Sequence, residues 1–130
     1  MENTDLHFGI TTTVEEHFVY IVATGDYSLI KANHLFSHAI ENALLHKEAK
    51  ILIDVTRLTG NIPFFERFEY SAFFAKHQRK HASPKLSRIA VVGHVPIVDK
   101  DKFGEIVAVN RGANVQVFTD MDNASAWLNK

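Results

Sequence analysis

The chain has 130 residues, 46% apolar and 22% charged, with a formal net charge of -1. That length allows one domain with a real hydrophobic core. The composition excludes collagen, low-complexity disorder and a disulfide scaffold. With 0 Cys there is no thiol catalysis, no Cys-ligated zinc and no redox switch. The near-neutral charge argues against whole-molecule attraction to nucleic acid. Met1-Glu2-Asn3-Thr4-Asp5 is too polar to open a secretory signal, and no apolar run approaches the roughly 18 residues that span a bilayer. A cytoplasmic protein is the expectation.

Phe8 to Thr13 reads as a short strand, Val14-Glu15-Glu16 as a turn, and His17 to Ala23 as a returning strand with Phe18, Tyr20 and Val22 alternating against Val19 and Ile21. Gly25-Asp26 should break it, and Asp26 or Ser28 can cap a helix over 28–47. Leu29, Ala32, Phe36, Ile40 and Ala43 form the apolar stripe of that helix, with Lys31, His34, His38, Glu41 and Leu45 opposite. Lys50 to Val55 is a continuous apolar run, as in a strand buried on both faces. Thr56 to Pro63 reads as a loop, with Pro63 at the start of a second helix over 64–81. Leu86 to Val92 is another buried strand. Asp99 or Asp101 can cap a third helix, which Gly112 stops. Val115 to Phe118 is a last strand, followed by a helix capped by Thr119 or Asp120 and holding Ala124, Trp127 and Leu128. The order β-β-α-β-α-β-α-β-α predicts one α/β domain over residues 1–130. Its sheet has about five strands, mostly parallel with an antiparallel first strand, and four helices surround it.

The hairpin, the capped helix, the strand KILIDV ending near Asp54, the strand RIAVVG and the closing VQVFTDMDNASAWL together resemble the SpoIIAA-like proteins. These are small bacterial relatives of the STAS domain, which occurs in sulfate transporters and anti-sigma-factor antagonists. The resemblance runs from about Phe8 to Leu128. It implies a β-α superhelix, no catalytic activity, no cofactor, and a protein partner or homodimer. In the antagonists a phosphate-accepting Ser follows the strand that ends in Asp. Here Thr56-Arg57-Leu58-Thr59-Gly60-Asn61-Ile62-Pro63 contains no Ser. The resemblance therefore carries over the fold, not the phospho-switch. A similar β-α arrangement in CRAL-TRIO lipid-binding domains makes an apolar ligand a second expectation.

Catalytic motifs are missing: no G-x-S-x-G, no phosphate loop, no G-x-G-x-x-G and no H-E-x-x-H. His34 and His38 lie four apart with Glu41 one turn further, and His77 and His81 repeat the spacing. Both pairs read as exposed helix faces, so no metal is expected. The segment 64–74 is unusual, holding Phe64, Phe65, Phe68, Tyr70, Phe73 and Phe74, six of the fourteen aromatics in the chain. Helical spacing predicts Phe64, Phe65, Phe68, Ala72 and Ala75 on the sheet, with Tyr70 and Phe73 on the far side and Phe74 on a flank. Something must cover what one sheet-facing stripe leaves over: a neighbouring helix, a protein partner or second copy, an apolar ligand, or a membrane surface. Lys76, Arg79 and Lys80, which follow, suit contact with an anionic membrane surface. Residues 1–48 carry seven acids against two bases, and residues 70–98 five bases and no acid. The loops after the strands form a second candidate site, where Arg57 and His94 favour an anion.

Overall fold

The structure is a computed structural model whose described residues are 7–80, 88–99, 101–111 and 113–130. The hairpin forms from β1 (Gly9–Val14) and β2 (Val19–Asp26), antiparallel from Gly9 opposite Thr24 to Val14 opposite Val19. Helix α1 (Leu29–Leu45) leads to β3 (Lys50–Thr59), and α2 (Phe64–Lys80) precedes β4 (Arg88–Val92). Helix α3 (Phe103–Asn110), β5 (Val115–Phe118) and α4 (Met121–Leu128) complete the chain. The sheet order is β1-β2-β3-β4-β5, with every pair after the hairpin parallel. This is the α/β architecture expected from the element order.

Sheet alternation creates two cores. Val19, Ile21, Ile51, Ile53, Ile89 and Val115 point to the face that carries α1, α2 and α3. Leu52, Ala90 and Val92 point to the other, where Ala124 and Leu128 of α4 seal them. Each fully buried Ile contributes roughly 1.5–3 kcal/mol. The stripe of α1 is as expected from Ala32 to Ala43, joined by Leu35 and Ala39, while Leu29 at its start is only half-buried. Ala32, Ala39 and Ala43 are small enough to let the helix sit close to the strands. Ser28 caps it, its Oγ accepting from Lys31 N at 3.2 Å. Asp120 caps α4 in the same way, accepting from Asp122 N at 2.8 Å. Arg88 ties the end of α4 to β4: its Nη1 donates to Trp127 O at 2.6 Å, and its guanidinium lies 5.4 Å from the Trp127 ring centroid.

Three boundaries differ from the sequence reading. Gly25-Asp26 does not break β2, and residues 56–59 are strand rather than loop. A register shift between Val22 and Thr24 lets the pair continue, Gly25 opposite Leu58 and Asp26 opposite Thr59. Gly25 takes φ 128, which a side chain would resist. Helix α3 has Lys102, at φ 56, in the N-cap position instead of Asp99 or Asp101, and Lys102 makes no side-chain cap hydrogen bond. The expected stop at Gly112, the strand start at Leu86 and the helix end at His81 lie outside the described residues.

Gly93 follows β4 in a confined place. A Cβ there would stand 2.5 Å from Val98 Cγ2 and 2.8 Å from Val55 Cγ2. Gly93→Ala should therefore overpack the junction and cost about 1–3 kcal/mol, read as a lowered midpoint in thermal or urea unfolding. An unchanged midpoint would show that the junction yields.

Candidate functional site

Helix α2 defines the site, and it is rotated by roughly a quarter of a turn from the sequence expectation. Phe64 is 63% exposed and Phe65 78%, whereas Phe74 is 3% exposed. Phe68 is also exposed, and Tyr70 packs inward. The buried face is built on Arg67, Ser71, Phe74 and Gln78, at intervals of four, three and four residues, with Ala75 buried beside them as expected. Hydrophobicity alone selects the wrong side because three of these four side chains are polar. Burial is tolerable since they are bonded. Arg67 Nη1 donates to Ile97 O at 3.0 Å and Nη2 to Pro96 O. Gln78 Oε1 accepts from Asn114 N at 3.3 Å. The aromatic rings that do turn inward meet Phe36 of α1, with centroids 4.6 Å away for Phe74 and 5.7 Å for Tyr70.

With these anchors α2 packs chiefly against α1 and α3 instead of lying on the strands. Two adjoining cavities of ≈ 60 Å³ each remain beneath it. Phe36, Tyr70, Val91 and Val117 line both. Val91 and Val117, on inner and edge strands, are consequently only half-buried. One cavity is almost wholly apolar, with Phe8, Leu35 and Ile62 in its wall. The other has Arg67, Asp99, Lys102 and Glu105 along one side. Burial, the first cause, pushes the Tyr70 hydroxyl above its usual range, so it stays neutral. Tyr27 behaves likewise, through burial and then its hydrogen bond to Glu66. That bond, 2.9 Å to Glu66 Oε1, joins the segment before α1 to the first turn of α2.

A wider cleft of ≈ 490 Å³ opens at the carboxyl ends of β3 and β4, with Thr59, Asn61, His94 and Val95 in its walls. Its hydroxyls are engaged. Thr56 Oγ donates to Asp54 Oδ1 at 2.6 Å, and Thr59 Oγ donates to Gly25 O and Asp26 Oδ1. Asp54 also accepts from Tyr20 OH at 3.2 Å. His94 lines the cleft, while Arg57 is exposed on β3 and does not.

The candidate residues thus divide. Phe64 and Phe65 form an exposed edge-to-face pair with centroids 6.1 Å apart. The Arg111 guanidinium lies 4.6 Å from the Phe68 ring centroid. Phe73 is half-buried and Lys76 exposed. The side chains of Arg79 and Lys80 lie outside the described residues. His34 and His38 are half-buried, contrary to the exposed face expected of them, because β1 lies against that side of α1. Among the described residues no three His, Cys, Asp or Glu side chains group to hold a metal ion. His77 and His81 lie outside the described side chains. Sequence reasoning missed Arg67, Gln78 and the Tyr27–Glu66 bond. The four-three-four spacing of Arg67, Ser71, Phe74 and Gln78 was their available signal.

Arg67→Leu should leave the Pro96 and Ile97 carbonyls without their donor, at about 1–3 kcal/mol for each buried group. A loss below about 1 kcal/mol in chemical unfolding would remove the anchor from the account. Phosphorylation in 56–63 is not expected: Ser is missing, and the Thr56 and Thr59 hydroxyls face carboxylates. Stoichiometric phosphate on either Thr after incubation with a kinase of an anti-sigma system, read by mass spectrometry, would contradict this.

The search against curated proteins finds no match. Among solved structures, an anti-sigma factor antagonist from Mycobacterium paratuberculosis aligns with TM-score 0.60 and 15% identity, over 94% of this chain and 96% of that one. An uncharacterised protein with a SpoIIAA-like fold from Shewanella loihica PV-4 aligns with TM-score 0.55 and 19% identity, over 98% of both chains. Both likenesses concern the fold. The family profile described as SpoIIAA-like matches residues 18–129, from the start of the second strand to the end of the last helix, and on that match the chain belongs to the SpoIIAA-like family.

Proposed function

We propose that the protein is a non-enzymatic binding module that acts through protein contacts. The observation that carries this reading is the exposed aromatic pair at the start of α2. Phe64 and Phe65 stand in water although the helix has an anchored inner face, and Ile30 and Val95 are also exposed. Pro63 and Ile30 border one surface hollow, and Val95 borders the cleft beside it. Large apolar side chains gathered on a rim suit a docking surface. A fold neighbour named as an anti-sigma factor antagonist supports a protein as the partner. A second copy of the chain is the simplest such partner. The missing phosphoacceptor Ser separates this module from a serine-phosphorylation switch.

A second reading has its own observation. The paired cavities beneath α2 are bounded mainly by apolar side chains, and they leave Val91 and Val117 incompletely covered. An apolar small molecule would recover the lost contacts. The same exposed Phe pair, with Lys76 on the same helix, would suit reversible contact with a membrane surface. Among the described residues no helix is long and apolar enough to cross a membrane.

Phe64→Ser combined with Phe65→Ser separates surface from core. Both side chains are exposed, so stability should change by no more than about 0.5 kcal/mol, while Phe74→Ser should cost about 3–5 kcal/mol. Native mass spectrometry should show a dimer in the wild type that the double variant loses. A wild type that is monomeric at every concentration would exclude self-association as the role of the pair. Apolar mass retained by both proteins would support the cavity reading. Flotation with anionic vesicles, lost in the double variant and weakened by salt, would support the membrane reading.

A further inference from the structure

Three imidazoles lie in a row between α1 and the start of β1. The ring centroids of His7 and His34 are 4.7 Å apart, and those of His34 and His38 6.0 Å. His38 Nε2 lies 3.0 Å from Thr12 Oγ on β1 and 3.2 Å from Asn42 Nδ2. An amide nitrogen only donates, so the contact is a hydrogen bond when Nε2 is the bare acceptor nitrogen of the ring. A proton on Nε2 would set N–H against N–H. Thr12 can turn its hydroxyl to accept, whereas Asn42 would have to flip its amide and give up its 2.9 Å bond to His38 O. His34 presents a related constraint. Its Nδ1 is buried and has no hydrogen-bond partner among the described residues. An imidazolium there would carry a buried donor with no acceptor.

The row holds more than itself. Phe8, between His7 and β1, is buried and forms part of the wall of the apolar cavity. Lys31 lies one turn before His34, with its ammonium 5.4 Å from the Phe8 ring centroid. Lys31 is thus a further basic group on the same stretch of α1, held against the Phe8 ring. Glu41, on α1, is the opposing acid. β1, packed against the row, carries no titratable residue. Glu2 and Asp5 lie outside the described residues.

We propose that His7, His34 and His38 form a proton-operated latch. When neutral they hold the start of β1 on α1 with Phe8 in the cavity wall. When protonated they repel one another, release that segment and open the cavity from the β1 side. Burial first, then His7 and His38, holds the His34 imidazole below its ordinary 6.5, against a weaker upward pull from Glu41. The sign follows: the unfolded or released chain binds the proton more readily. The stabilisation is thus complete above pH 6.5 and is lost as pH falls through the lower, folded-state value. The latch rests on the histidine geometry. Only its consequence for ligand entry depends on the second reading above.

Hydrogen exchange of the full chain at pH 7.5 and 5.5, corrected for intrinsic rates, tests it. Protection of the β1 amides should fall roughly tenfold for each unit by which the proton affinities differ, while β3 and β4 keep theirs. The step should vanish in His7→Gln combined with His34→Gln. His7 is exposed, so His7→Gln alone provides a variant that folds, and it should reduce the step. Imidazole proton NMR of the wild type gives an independent reading: His34 should titrate below 6.5 and move up in His7→Gln. Uniform loss of protection, a step retained in the double variant, or a His34 midpoint unmoved by His7→Gln would overturn the latch. A latch that opens without taking up the apolar dye 8-anilinonaphthalene-1-sulfonate would leave it standing and count against the cavity as a binding site.

Discussion

The buried guanidinium of Arg67 sets the geometry on which the candidate site depends. Its donors reach the backbone carbonyls of Pro96 and Ile97 in the segment after β4. A charged group at that depth must have acceptors, and the fixed fork of Arg allows few directions for them. Once that face of α2 is committed inward, Phe65, on the opposite side of the helix, is committed outward, and Phe64, at the exposed first residue of the helix, stands beside it. Phe74, two turns on, is carried into the core beside Phe36. The same commitment places α2 over α1 and α3, so the cavities beneath it arise from where the anchor stands. Tyr27 and Glu66 fix the first turn from the other side, which leaves the helix little freedom to rotate.

The sheet and the order of its helices were legible in the sequence because sheet burial leaves a simple signal. KILIDV and RIAVVG are apolar on both faces because α4 covers one side of β3 and β4 and the other three helices cover the opposite side. Ser28 and Asp120 announce their helices by chemistry that needs no tertiary context. The extension of β3 to Thr59 was hidden. Arg57 and Thr59 carry no apolar pattern, and their pairing with β2 depends on a register shift that no local preference records.

The site was legible only as a list of aromatics, and its orientation was not. Counting apolar side chains on a helical wheel assumes that the richest face is buried. In α2 the inner face holds Arg67 and Gln78, which are buried because backbone groups of other segments meet them. Those segments are 29 to 36 residues further along, so nothing near α2 in sequence signals the pairing. The histidines failed similarly: His34 and His38 are opposite the apolar stripe of α1, but β1 returns against that side. Polar side chains are read correctly only when the element that partners them is known.

The half-burial of Val91 and Val117 has a mechanical consequence. The voids beneath α2 are volume that the folded chain leaves unfilled by its own atoms. Unfolding eliminates that imperfectly packed volume, as does a shift of α2 that collapses it, and such states take up less total space. Hydrostatic pressure favours the smaller volume. Compression should therefore act first on the layer between α2 and the sheet, while the close-packed α4 side resists. The two faces of one sheet differ in compressibility as they do in chemistry.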